Sequence, residues 1–286
     1  MESKTNKRKH NILNHFMKKL KKNIKNSYFG KFLLIIYVFI LNQIWNFRSF
    51  IIRKPIFIKD DRIYLFPNSH ITKLLYLNKF EETERKFISS IINSNSNIVN
   101  IGANIGLYTI LCAQRATNGL VYSFEPEFNN FQKLIKNIEL NKLVNVRTYN
   151  CALGSKIEKM NLYRDVLNPK LDSHYTLINN SKTNNNLINT IDVITLDSLF
   201  DNVINNFNLL IMDVEGYESE VLIGGANFLK NNQECVFMIE VTKNHTLIFD
   251  IMKNNNFLSY KIGLNNELKL IESGHGNIIF KKNTYR

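Results

Sequence analysis

Gly102-Ala103-Asn104-Ile105-Gly106 follows directly on the apolar stretch Ile98-Val99-Asn100-Ile101 and runs directly into a segment of helical pattern. Two glycines in a strand-to-helix bend let the backbone approach a ligand closely and present the N–H groups of a helix start. Glu125 comes 19 residues after Gly106, at the end of the next apolar stretch, in Phe124-Glu125-Pro126. A carboxylate there can accept both hydroxyls of a ribose. Bend and acid together point to an adenosine-containing cofactor. The bend is a GxxxG around an asparagine, not the GxGxxG of dinucleotide enzymes, and it has no basic residue to meet a phosphate. Asn104 carries an amide that both donates and accepts, which suits an amino-acid moiety. The residues thus favour S-adenosylmethionine over NAD, with an NAD-dependent oxidoreductase as the alternative. Further along, Asp213 and Glu215 close the apolar stretch that ends at Met212. A carboxylate within reach of an alcohol can take its proton as the oxygen attacks. Asp213 is the first candidate for that work and Glu215 the second, with Glu240 and His174 behind them. Alternatively, the Asp213/Glu215 pair caps the helix near Tyr217 and holds the turn at Gly216.

The elements that must position these groups alternate. Strands are expected at 98–101, 120–124, 144–149, 208–212, 235–241, 258–262 and 277–280, and helices at 80–92, 107–114, 129–140, 218–229 and 247–253. A short hairpin is expected across Pro55–Phe66, and an acceptor-covering polar insert across Asp165–Asn189. Near-continuous apolar strands alternating with helices predict a parallel sheet covered on both faces, which binds ligands at the carboxyl ends of its strands.

Read in order, Ile98–Thr109 (IVNIGANIGLYT), Ser123-Phe124-Glu125-Pro126, Ala152-Leu153-Gly154, Thr195-Leu196-Asp197, and Met212-Asp213-Val214-Glu215-Gly216-Tyr217-Glu218 with Leu222 and Gly225-Ala226 resemble the FkbM family of S-adenosylmethionine-dependent methyltransferases. The resemblance covers roughly residues 60–245. It implies an α/β class I methyltransferase fold of Rossmann-like type: a mostly parallel, seven-stranded sheet with an antiparallel C-terminal hairpin and helices on both faces. It also implies O-methylation of a hydroxyl on a sugar, glycan or small metabolite. By the same resemblance Gly102, Asn104 and Gly106 line the methionine end of the cofactor and Glu125 holds the ribose. Cys151, Ala152 and Leu153 lie beside the adenine, and Asp213 and Glu215 face the methyl group and the acceptor. The family usually has Asp at the position of Asn100. An Asn there keeps an acceptor for the cofactor's amino group but loses the charge-assisted part, about 1 kcal/mol. A catalytically inactive, membrane-associated protein of the same fold is therefore a further alternative.

Composition bounds the rest. The chain has 286 residues, 44% hydrophobic and 21% charged, with 11 Gly and 4 Pro, which excludes collagen-like and wholly disordered classes. Three scattered cysteines form no disulfide framework or zinc pair, and the six histidines show no HExxH spacing, so no metal is expected. The three Cys read as small buried hydrophobes. The net charge of +13 is concentrated: residues 1–31 hold ten Lys/Arg and one Glu, a net +9, which leaves +4 for the remainder. Ten uninterrupted apolar residues, Phe32–Leu41, follow. Residues 1–54 are therefore expected to be a basic tail with an apolar segment, and 55–286 the methyltransferase domain. The segment reads as an interfacial anchor on an anionic membrane with Trp45 at the interface, as a single span, or as a helix packed on the domain. The tail has few aromatics, so nucleic acid is not expected as a partner. A cofactor made in the cytosol places the enzyme on the cytoplasmic side.

Overall fold

The apolar stretches sit in the middle of a sheet because protein covers both of their faces. The computed structural model describes residues 28–51, 54–58, 62–67, 69–77, 80–164, 175–177, 186–200, 206–242 and 245–282. The basic tail before residue 28, His174 and most of the 165–189 insert lie outside them. The chain divides at residue 53 into two units.

The described part of the N-terminal unit is one helix, α1 (Tyr28–Ile51). No helix among the described residues is long and apolar enough to cross a membrane. Trp45 is buried, whereas Phe32, Ile35, Phe39 and Phe47 are exposed. The tryptophan expected at a membrane interface is thus turned away from the helix's exposed apolar side.

The larger unit opens with the predicted antiparallel hairpin, β1 (Ile56–Ile58) and β2 (Ile63–Leu65), then α2 (His70–Tyr76) and α3 (Glu82–Ile91). Alternation follows: β3 (Ile98–Ile101), α4 (Leu107–Ala113), β4 (Val121–Phe124), α5 (Phe128–Leu140) and β5 (Val146–Tyr149). Next come β6 (Ala152–Leu153), β7 (Glu158–Arg164), β8 (Tyr175–Thr176), β9 (Asn186–Ile194) and α6 (Leu196–Phe200). The remainder is β10 (Leu209–Met212), α7 (Glu218–Ile223), α8 (Ala226–Asn231), β11 (Val236–Val241), α9 (His245–Asn254), β12 (Phe257–Ile262), β13 (Leu268–Ile271) and β14 (Gly276–Lys282).

The main sheet runs β13-β12-β14-β11-β10-β3-β4-β5. Strands β11, β10, β3, β4 and β5 are mutually parallel, and β14 enters antiparallel between β11 and β12. This is the class I arrangement with one strand more than the seven expected, because β13 folds back on β12 and extends the edge. The period of two divides the core. Val99, Ile101, Leu210, Met212, Phe237 and Ile239 join the core that contains residues of α6 to α9. Ile98, Leu209, Ile211 and Met238 face residues of α3 and α4.

Two expectations need correction. The single helix at 218–229 is two helices broken at Gly224-Gly225. A Cβ on Gly224 would lie 1.9 Å from the carbonyl oxygen of Gly154, and Asp197 begins a new helix there by accepting the N–H groups of Asn227 (3.0 Å) and Phe228 (2.8 Å). Described residues within the polar insert and on either side of it form a second sheet, β6-β9-β7-β8. Its long hairpin β7/β9 buries Leu162, Ile191 and Val193.

Candidate active site

Gly102 begins the bend after β3 with φ +79°, in the left-handed region, and Gly106 ends it with φ +95°. A Cβ at Gly102 would come within 1.8 Å of the Asp213 carbonyl oxygen. Glycine at 102 is thus what lets the bend after β3 seat against the end of β10, where the Asp213 N–H donates to Ile101 O at 3.0 Å. Sequence reasoning expected these glycines to serve a ligand. Their immediate neighbours are protein: the Asp213 backbone for Gly102 and the Leu134 side chain for Gly106.

The N–H groups of the bend are already engaged. Those of Gly102 and Ala103 donate to Phe124 O (3.0 and 2.8 Å), and that of Gly106 to Ala103 O (2.9 Å). The Asn104 N–H donates to Glu125 Oε2 (2.7 Å) and the Ile105 N–H to Asn104 Oδ1 (2.7 Å). A bend whose donors are all committed is a poor cradle for pyrophosphate, which needs free N–H groups. It presents acceptors instead, and those suit an ammonium group.

Glu125 joins the two loops. Its second oxygen, Oε1, accepts the Glu127 N–H at 2.9 Å. Burial in this position pushes its carboxyl up from 4.5 to about 7, against the pull of those two N–H groups. Glu127 in turn caps α5 through Asn130 N at 2.7 Å. Asn100 is buried, and its Nδ2 donates to Thr109 Oγ1 at 2.9 Å, which is 2.8 Å from Ser123 Oγ. Its amide nitrogen thus holds β3 to α4, and Oδ1 is the atom left to accept from a cofactor's amino group. Cys151 and Leu153 join the main core, whereas Ala152 joins that of the second sheet. Burial pushes the Cys151 thiol up to about 11, so it stays a neutral thiol.

At the carboxyl end of β10 the acids converge. Parallel pairing aligns Met212 with Ile239, which places Asp213 beside Glu240. Asp213 is exposed, and desolvation by the groups around it, followed by the charge of Glu240, raises its carboxyl above the usual range. Glu215 and Glu81 raise it further. Glu81, at the start of α3, accepts from Tyr108 Oη and from Asn277 Nδ2 (3.3 Å), and Asn277 pairs with Glu240 across β14 and β11.

The turn after Asp213 is held by a residue to which sequence reasoning gave no role. Glu218 Oε1 accepts the N–H groups of Val214 (3.3 Å) and Gly216 (3.0 Å). Glu218 thus holds the turn at Gly216 from the first residue of α7. The signal was the third acid of the D-V-E-G-Y-E run. Its Oε2 is buried without a hydrogen-bond partner, and burial raises the carboxyl. Glu215 adopts φ +55°, a costly left-handed conformation for a residue with a side chain. Its carbonyl accepts from Thr176 Oγ1 at 3.2 Å, so the described part of the polar insert reaches this turn.

The sequence profile of the Methyltransferase FkbM domain matches residues 100–262, more than half of the chain. The chain belongs to the FkbM methyltransferase family. The matched span runs from Asn100 to the end of β12, so the FkbM domain contains every site residue described above except Glu81 and Asn277. Methyltransferase 1 of Beauveria bassiana (strain ARSEF 2860) is 30% identical over 148 residues, covering 46% of this chain and 58% of that protein. This FkbM chain thus spans less than two thirds of that relative's length. Among solved structures, the precorrin-6y C5,15-methyltransferase of Geobacter metallireducens GS-15 is similar over 71% of this chain and 89% of its own, at 11% identity and a TM-score of 0.41. M. jannaschii TYW2 in complex with AdoMet is similar over 77% and 82%, at 17% identity and a TM-score of 0.37.

Proposed function

We propose that this FkbM methyltransferase transfers the methyl group of S-adenosylmethionine to a hydroxyl oxygen of a sugar, glycan or small metabolite, with Asp213 as the general base. The reading rests on one observation: the bend after β3 and the carboxyl pair of β10 and β11 meet at Gly102 and Asp213. The donor set fits the cofactor. The bend offers carbonyl oxygens and the Asn104 amide for an ammonium group, Glu125 offers acceptors for ribose hydroxyls, and Cys151, Ala152 and Leu153 an apolar wall for adenine. The same committed N–H groups speak against the NAD alternative.

S-adenosylmethionine, when bound, supplies an electrophilic methyl group on a positively charged sulfur. The protein's part is to orient the acceptor and take its proton. Asp213, with Glu240 beside it, takes the hydroxyl proton as the new C–O bond forms and the methyl–sulfur bond breaks, with S-adenosylhomocysteine as the leaving group. Glu81 and Glu215, whose charges act on Asp213, make its surroundings electronegative, which favours a cation and disfavours acceptors that carry phosphate or carboxylate beside the reacting hydroxyl.

The test is incubation with labelled methyl donor and a panel of glycans, lipids and small alcohols. Label should appear as a methyl ether stable to mild base, which separates it from a methyl ester. Asp213→Asn should lower turnover by about 10²–10⁴ while S-adenosylhomocysteine still binds. Undiminished turnover in that variant would remove Asp213 from the reaction.

A further inference from the structure

We propose that the exposed face of α1 docks on an anionic lipid surface and holds the enzyme there without crossing it. Phe32, Ile35, Phe39, Ile40, Ile44 and Phe47 are spaced by three or four residues, apart from the adjacent Phe39 and Ile40, and are all exposed; Ile35 is 66% exposed, Phe39 61% and Phe47 69%. At about 100° per residue they fall on one half of the helix. Tyr37 and Leu41 are partly buried and Trp45 is buried, on the other half. Apart from the exposed Gln43, the described residues on the side the helix leaves uncovered are apolar, whereas a solvent-facing side would ordinarily be polar.

Charge decides what covers that face. Ten Lys/Arg and a single acid precede or open the helix, a net +9 over residues 1–31. A second copy would bring an equal positive charge to the same place and be repelled. Anionic headgroups would be attracted, and a half-apolar helix lies at the boundary between headgroups and acyl chains. RNA would satisfy the charge and leave the phenylalanines and isoleucines in water. A span fails on the helix itself, because Asn42, Gln43 and Arg48 interrupt its apolar run.

The experiment is flotation of the full chain with phosphatidylcholine vesicles, with and without phosphatidylserine. Binding should be at least about tenfold stronger with phosphatidylserine and should weaken several-fold as salt is raised. Ile35→Ser with Phe39→Ser should reduce it by about tenfold or more, with the melting temperature of the larger unit unchanged. The proposal is overturned if the double variant floats like the parent, or if the full chain ignores anionic vesicles at low salt. It is equally overturned if carbonate leaves the chain in the membrane, or if the substitutions dissociate a lipid-free dimer seen by light scattering.

Discussion

At the scale of single residues, Glu125 is the group most open to titration. Its carboxyl is raised from 4.5 to about 7 by burial. In the ligand-free protein its contribution to stability is therefore complete below about pH 4.5 and is lost as pH rises through about 7. Ribose hydroxyls donate to the ionised form, so ligand binding draws the proton off. S-adenosylhomocysteine affinity should accordingly fall about tenfold per pH unit below pH 7 and level off above it. Calorimetry at pH 6–7 in two buffers of different ionisation enthalpy should report proton release, and Glu125→Gln should abolish the release and weaken binding. Pairing between Asp213 and Glu240 was only half legible from the sequence. Both acids end apolar stretches, but which two strands lie side by side is fixed by sheet order, and sheet order is a property of the whole chain.

At the scale of elements, several stretches that carry the family resemblance perform architecture, not chemistry. Asp197 starts α8, Gly224 seats against Gly154, and Gly225 against Leu196. Asp197→Ala should cost about 1 kcal/mol and lower the melting temperature by about 2–4 °C, leaving S-adenosylhomocysteine affinity unchanged. A loss of affinity without a loss of stability would show that the residue reaches the site. The parallel strands were readable because short, mainly apolar runs between turn signals, such as Leu209–Met212 and the start of Val236–Val241, leave few options. β7 and β9 were not, because their alternation is diluted by asparagine and exposed leucine and isoleucine, and only Leu162, Ile191 and Val193 mark the inner face. The break at Gly224 was also hidden, because it depends on a backbone approach from 70 residues away. Glu218 sat in plain view within a quoted motif, yet its task follows only from the left-handed turn at Glu215 and Gly216.

At the scale of the whole molecule, the sheet places the bend after β3, the acid after β4 and the carboxyl pair after β10 and β11 at the carboxyl ends of its parallel strands, where open α/β sheets bind ligands. Ligand choice should show in global stability. S-adenosylhomocysteine at 100 times its Kd should add about 2.7 kcal/mol, a rise of about 5–10 °C in melting temperature, and NAD should add none. Equal shifts with both, or a shift with NAD alone, would favour the oxidoreductase reading. The insertion of β14 between β11 and β12 reaches further than geometry. Asn277 arrives on that strand and bonds to Glu81, 196 positions earlier. While the ribosome is still making residues 100–270, Glu81 lacks this partner, so a nascent chain reaches its full set of contacts among these acids only when its last strand is complete.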